Sequence, residues 1–266
     1  MQSESLPINY RDISALGYDY VQEKTYTADH PDVVEWANRF LKRFRGRKIF
    51  ERFDSAHSSP SIVKAKVIGT QWHRFSEFMP YILCSASAKV SNNRLRHYTI
   101  QTAYEELGAR NADEIHHEMF WETALAAGAQ DSDRARMSNE PEIDDALRFL
   151  EHALVTSNSD EEILGLLLGL EICAEENIET VFSSLAHTKA LETSLAETKF
   201  FKLHRQLEME HIRLDISIFL RFCQKSQEKT ERFITGFDAG VQFWEKFWWG
   251  VGQIIVRQQH EVTPCA

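Results

Sequence analysis

Residues 204–211 read HRQLEMEH, two imidazoles and two carboxylates lying between the apolar runs KFFKL and IRLDISIFL. Imidazole nitrogen and carboxylate oxygen are ligands for transition metals. Their use depends on the side of the helix they occupy. At about 100° per residue, with His204 at zero, Glu208 falls near about 40° and His211 near about −20°. Phe200 and Ile218 fall near about −40° and Leu207 near about −60° on the same scale. His204, Glu208 and His211 therefore share the apolar face, while Glu210, near about −120°, points away. A charge on a core-facing stripe requires a partner of opposite sign or a metal. Satisfied core histidines beside a buried ion pair are the competing explanation.

Other segments repeat the pattern. In DEEILGLLLGLEICAEENI, Glu171 shares a face with Leu164, Leu167, Ile178 and Phe182, and Glu175 lies one turn on as an alternate. In RLRHYTIQTAYEEL, Glu106 aligns with Leu95, Thr99, Thr102 and Ala103; Glu105 turns toward Tyr98 and Gln101. In NADEIHHEMFWETALAAG, His116 aligns with Phe120, Thr123 and Ala127, and His117 also has apolar neighbours. Taken singly, each is more often structural than functional. Together they put a carboxylate or an imidazole from each of several helices toward one interior.

Those helices follow from 3.6-residue periodicity. HPDVVEWANRFLKRF is the first. The second is expected to begin at Pro60 and run through WHRFSEFMPYILCSASAKV, kinked at Pro80. RLRHYTIQTAYEEL stops near Gly108. NADEIHHEMFWETALAAG opens with Asn111 as a cap, has Glu114 three residues later, and ends at Gly128. QDSDRARMSNEP reads as loop. EIDDALRFLEHALV, DEEILGLLLGLEICAEENIETVFSSL, ETSLAETKFFKLHRQLEMEHIRLDISIFLRF and TERFITGFDAGVQFWEKFWWGVGQIIVRQ each read as one helix. No strand alternation, repeat or linker interrupts them. The expectation is an all-α protein, a seven- to eight-helix bundle in a single domain over 1–266, with a polar segment at 1–28.

Composition agrees. Of 266 residues, 43% are apolar, with few glycines and prolines, which suits a packed globule. A net charge of −10 without a basic run argues against nucleic acid or an anionic membrane as partner. Cys84, Cys173, Cys223 and Cys265 lack paired spacing and read as reduced thiols of a cytoplasmic protein. No signal peptide is evident at the N-terminus, and the longest apolar run, ILGLLLGL, is too short to span a bilayer. The aromatic run FWEKFWW reads as core or as a contact between two copies in a homodimer.

Oxygen and nitrogen donors in this mixture suit iron or manganese more than structural zinc. Helical bundles build carboxylate-bridged di-iron sites from such sets. At this point a family resemblance enters. AYEELGARNADEIHHEMF resembles the glutamate, glycine turn, histidine and apolar pair of the heme-oxygenase-like di-iron oxidases. LGLEIC resembles their central ligand glutamate, and FFKLHRQLEMEH their terminal His-x3-Asp-x2-His, with glutamate here in place of aspartate. The resemblance covers about 90–215, taken as the metal-binding core. It implies Glu106, His116, Glu171, His204, Glu208 and His211 as ligands of two iron ions, Fe(II) in the reduced form, with manganese as an alternative. It also implies O2-dependent oxidation of a small metabolite, commonly an amino acid, an amino-acid derivative or a fatty acid, often in secondary metabolism. The outcomes are C–C cleavage, desaturation or N-oxygenation. Members that oxygenate nitrogen can carry one more glutamate on the first core helix, for which Glu77 is the nearest residue here. Asp215, one turn past His211, is placed to hold that imidazole or to pair with Arg213 or Arg221. A ferritin-like alternative would use Glu114-x-x-His117 and Glu208-x-x-His211 with Glu77 and Glu171 or Glu175. It leaves His204 unused. A cofactor-free or non-catalytic helical protein would need no such alignment.

Overall fold

A computed structural model describes residues 31–51, 53 and 61–262; of 205–211 and 261–262 it describes the backbone only. The polar segment 1–28 and Pro60 therefore lie outside the described residues. Among those residues the chain forms eleven α-helices and no strand. They are α1 (Pro31–Arg45), α2 (Ile62–Lys89), α3 (Asn93–Glu106), α4 (His116–Ala126), α5 (Asp131–Arg136) and α6 (Pro141–Thr156). Then come α7 (Asp160–Glu171), α8 (Ala174–Leu185), α9 (Lys189–Ala196), α10 (Lys199–Phe222) and α11 (Gln227–Val262). The chain is all-α, as expected, and one hydrophobic cluster runs through the described helices.

The count exceeds seven or eight for identifiable reasons. Two helices expected to be continuous are broken, at Ile172–Cys173 and at Glu197–Thr198. At the first break the Trp244 indole donates to the Leu170 carbonyl at 3.0 Å, an acceptor that the N–H of Ala174 would take in an unbroken helix. At the second, the Thr198 hydroxyl donates to the Leu195 carbonyl at 2.8 Å and closes the last turn of α9.

Two local expectations are corrected. QDSDRARMSNEP is not all loop, because Gln130 and Asp133 form a reciprocal capping box that starts α5. Asp133 is buried and pairs with Lys66 at 3.0 Å, so a run of charges is helix rather than solvated turn. Asn111 caps only a short 3₁₀ turn, Ala112–Glu114, and α4 begins at His116. Helix α2 continues through Pro80 to Lys89. Its start is set by Ser61, whose hydroxyl accepts from the Lys64 N–H at 3.1 Å.

Helix α11 packs along α7 and α6, while α2 lies against α3, α4 and α8, and α10 against α1, α7 and α8. The α7–α11 contact is backbone on backbone. A Cβ built on Gly165 would lie 1.9 Å from the Phe233 carbonyl oxygen, and one on Gly236 would lie 1.9 Å from the Glu162 carbonyl oxygen. Only glycine allows that approach. The aromatic run of α11 is core: Phe243, Trp244, Phe247 and Trp248 are buried, and Trp249 is exposed. No described helix is long and apolar enough to cross a membrane. Cys84, Cys173 and Cys223 are free thiols, and Cys265 lies outside the described residues.

Candidate metal centre

Helix α3 ends at Glu106 and α4 starts at His116, so these two donors flank one chain reversal. Gly108 makes the reversal at φ 79°, where a Cβ would sit 2.4 Å from the Asn111 carbonyl oxygen. The His116 Nδ1 lies 3.2 Å from a Glu106 carboxylate oxygen. Glu171 closes the last turn of α7, immediately before the break. His204 lies on α10, with its ring centroid 4.8 Å from that of His116. Its Nδ1 is 2.8 Å from the Phe200 carbonyl oxygen. A carbonyl only accepts, so Nδ1 donates and the lone pair resides on Nε2.

Glu106, His116, Glu171 and His204 line one cavity of about 60 Å³. The facing wall is apolar, built from Trp72, Phe75 and Met79 of α2 with Leu170, Ile178 and Trp244. Glu208 and His211 belong to α10, but their side chains lie outside the described residues. Among the described residues, no group of three or more His, Cys, Asp or Glu side chains gathers closely enough to hold one ion.

The alternates fall elsewhere. Glu77 and Glu175 are exposed, and Glu175 sits beyond the helix break. Glu105 is buried but does not line the cavity; the Gln101 amide approaches its carboxylate at 3.4 Å. His117 faces His73, ring centroids 5.7 Å apart. Of the ferritin-like alternative, Glu77, Glu114, His117 and Glu175 do not line the cavity, Glu171 does, and the side chains of Glu208 and His211 lie outside the described residues. Asp215 is buried and accepts from the Tyr98 hydroxyl at 2.5 Å. Tyr98 is a partner the sequence reading missed, although it shares the α3 face of Thr102 and Leu95. Trp244 was also missed as a positioning group: its indole N–H binds the Leu170 carbonyl next to Glu171, and Trp248 donates to Asn177 at 2.8 Å just across the break.

His73, 2% exposed, has its Nδ1 buried with no hydrogen-bond partner among the described residues. Burial, reinforced by Arg134 and then His117, lowers its pKa from 6.5 to about 4. The unfolded chain therefore binds this proton more readily than the folded one. The associated stability is complete above pH 6.5 and is lost as pH falls toward 4, by up to about 3 kcal/mol. Denaturant unfolding at pH 7 and pH 4.5 should show that drop, and His73→Gln should remove most of the difference. Equal pH dependence in the two proteins would contradict it.

The all-α bundle and its imidazole- and carboxylate-lined cavity define a heme-oxygenase-like protein. Residues 70–245 match the family described as iron-containing redox enzyme, and the chain belongs to it. Two crystal structures of a CADD-like protein of unknown function from Nostoc punctiforme have the same fold. One is 14% identical with a TM-score of 0.61, covering 88% of this chain and 97% of its own. The other is 16% identical with a TM-score of 0.60, covering 83% and 96%. No curated protein matches the sequence significantly.

Proposed function

We propose that the protein is an O2-dependent di-iron oxidase of a small, amino-acid-derived substrate, acting in secondary metabolism. The observation that carries this reading is that Glu106, His116, Glu171 and His204, from four helices, line one cavity. The donor types, imidazole nitrogen and carboxylate oxygen, suit iron. The 3.2 Å between His116 Nδ1 and Glu106 is close to the roughly 3 Å separating two donors that each stand about 2.1 Å from a shared metal. His204 gives its N–H to a backbone carbonyl, the arrangement that orients a metal-ligating imidazole. Glu208 and His211, at i+4 and i+7 from His204, would complete a six-ligand set for two metals. When bound, a ferrous pair supplies the one-electron chemistry that activates O2; manganese is the alternative metal.

The chain's own residues have separable tasks. Glu106 and Glu171 offset cationic charge, and His116 and His204 contribute neutral nitrogen. Trp72, Phe75, Met79 and Ile178 keep bulk water from the reacting groups. The exposed position of Glu77 withholds an extra carboxylate from the cavity, which favours C–C cleavage or desaturation over N-oxygenation. Metal analysis after anaerobic Fe(II) loading, followed by O2 exposure with amino-acid-derived probes, tests the reading. Two irons per chain and a transient visible absorption are expected. Trace iron with no transient absorption for any probe overturns it.

A further inference from the structure

Trp72 of α2 and His116 of α4 line the cavity. The next residue of each helix, His73 and His117, lies about 100° further round and does not. Instead their two rings meet where α2 packs on α4, with centroids 5.7 Å apart. His73 is buried and His117 half-buried. The Nδ1 atoms of both are buried, with no hydrogen-bond partner among the described residues. Buried polar side-chain atoms are almost always paired. Two such exceptions in one ring contact call for a shared partner from outside the chain.

We propose that His73 and His117 form a second metal site, outside the cavity, which takes copper(I) between two imidazole nitrogens. Geometry allows it. An ion about 2 Å from a nitrogen of each ring would hold the centroids roughly 5–6 Å apart, for angles at the metal from tetrahedral to linear. The number of donors selects the metal. Among the described residues no third His, Cys, Asp or Glu joins the pair closely enough to share an ion. Copper(I) is content with two ligands in a bent or linear arrangement, whereas structural zinc asks for four. Charge selects in the same direction. Arg134 lies over the Trp121 ring, 5.7 Å from its centroid, and that ring stands 5.2 Å from the ring of His73. A divalent ion would meet this guanidinium with twice the charge and cost about four times as much to dehydrate, because that cost grows with the square of the charge. Burial, then Arg134 and His117, also keep the His73 imidazole neutral at pH 7, so it retains a lone pair to give.

The test uses the full-length chain free of metal, with accessible thiols alkylated so that the exposed Cys84 does not compete. Anaerobic dialysis against copper(I), held in solution by acetonitrile, should load one copper per chain. X-ray absorption should show nitrogen neighbours and no sulfur. Loading should shift the imidazole C–H signals of His73 and His117 in the NMR spectrum and leave those of His116 and His204 in place. His73→Gln, with circular dichroism to establish its helices, should weaken binding by more than 100-fold, since losing a ligand exceeds the roughly 10–100-fold cost of losing its support. His204→Ala, at the cavity, should change it by less than about twofold. Equal copper content in wild type and His73→Gln, which a bridging water would give, overturns the site. So does loss of copper in His204→Ala, or a shift confined to His116 and His204. Zinc(II) held as tightly as copper(I) overturns the choice of a monovalent ion. Neither iron nor O2 enters the experiment, so its failure is separate from a failure of the di-iron reading.

Discussion

Replacement of Glu171 by alanine is expected to weaken iron binding by more than 100-fold and to abolish substrate-dependent O2 consumption. Losing a group that only supports a metal ligand costs about 10–100-fold, and losing a ligand itself should exceed that. The informative control is its neighbour one turn on. Glu175 is the same residue type, but the break at Ile172–Cys173 leaves it exposed, and Glu175→Ala should stay within about twofold of wild type in both measurements. His204→Ala should lower the iron content from two per chain to one. A ferritin-like pairing, which does not use His204, would retain both. Metal analysis after anaerobic loading reads all three variants, with circular dichroism to establish that each keeps its helices. If Glu171→Ala and Glu175→Ala bind iron alike, the cavity is not the metal centre.

The second large effect is structural. Gly165→Ala should destabilise the protein by about 3 kcal/mol or more, because the new methyl group meets the Phe233 carbonyl oxygen at 1.9 Å. Backbone atoms of packed helices have no rotamer to yield, so α7 and α11 must separate. Gly169 and Gly240 close the same contact one turn further on: a Cβ on either would come within 2.5 Å of a backbone oxygen. At about 2–4 °C per kcal/mol, the melting temperature should fall by roughly 6–12 °C. Gly250→Ala is the contrast, since its nearest neighbours, Glu142 Cβ at 3.1 Å, Ile143 Cδ1 at 3.2 Å and the Glu142 carbonyl carbon at 3.3 Å, need give only a few tenths of an ångström. It should cost within about 1 kcal/mol. Equal melting temperatures for the two variants would contradict the close approach. Gly165→Ala should also reduce iron content, because α7 carries Glu171 and Trp244 of α11 binds the carbonyl beside it.

Much of this was legible before any fold was drawn. The 3.6-residue repeat named the helices, and the apolar stripe of HRQLEMEH separated His204 from Glu210. The choice of Glu106 over Glu105 rested on the spacing to Gly108 in the family resemblance and on the face that carries Leu95, Thr102 and Ala103, and Glu106 is the one at the cavity. These are one-dimensional properties, because a helix face is determined by spacing alone.

What spacing could not decide was where helices stop for tertiary reasons. The run from Asp160 to Leu185 is good helix throughout, and nothing local breaks it. At the break the Leu170 carbonyl accepts instead from the indole of Trp244, some seventy residues away. Before the break Glu171 lines the cavity, and after it Glu175 is exposed. In the same way, Asp131–Arg136 looked like loop until Lys66 of another helix neutralised Asp133. The sequence by itself determined the class of fold and the faces that carry donors, because periodicity and residue chemistry are local. Only the tertiary structure decided which donors line one cavity and what else lines it, because both depend on groups far apart along the chain.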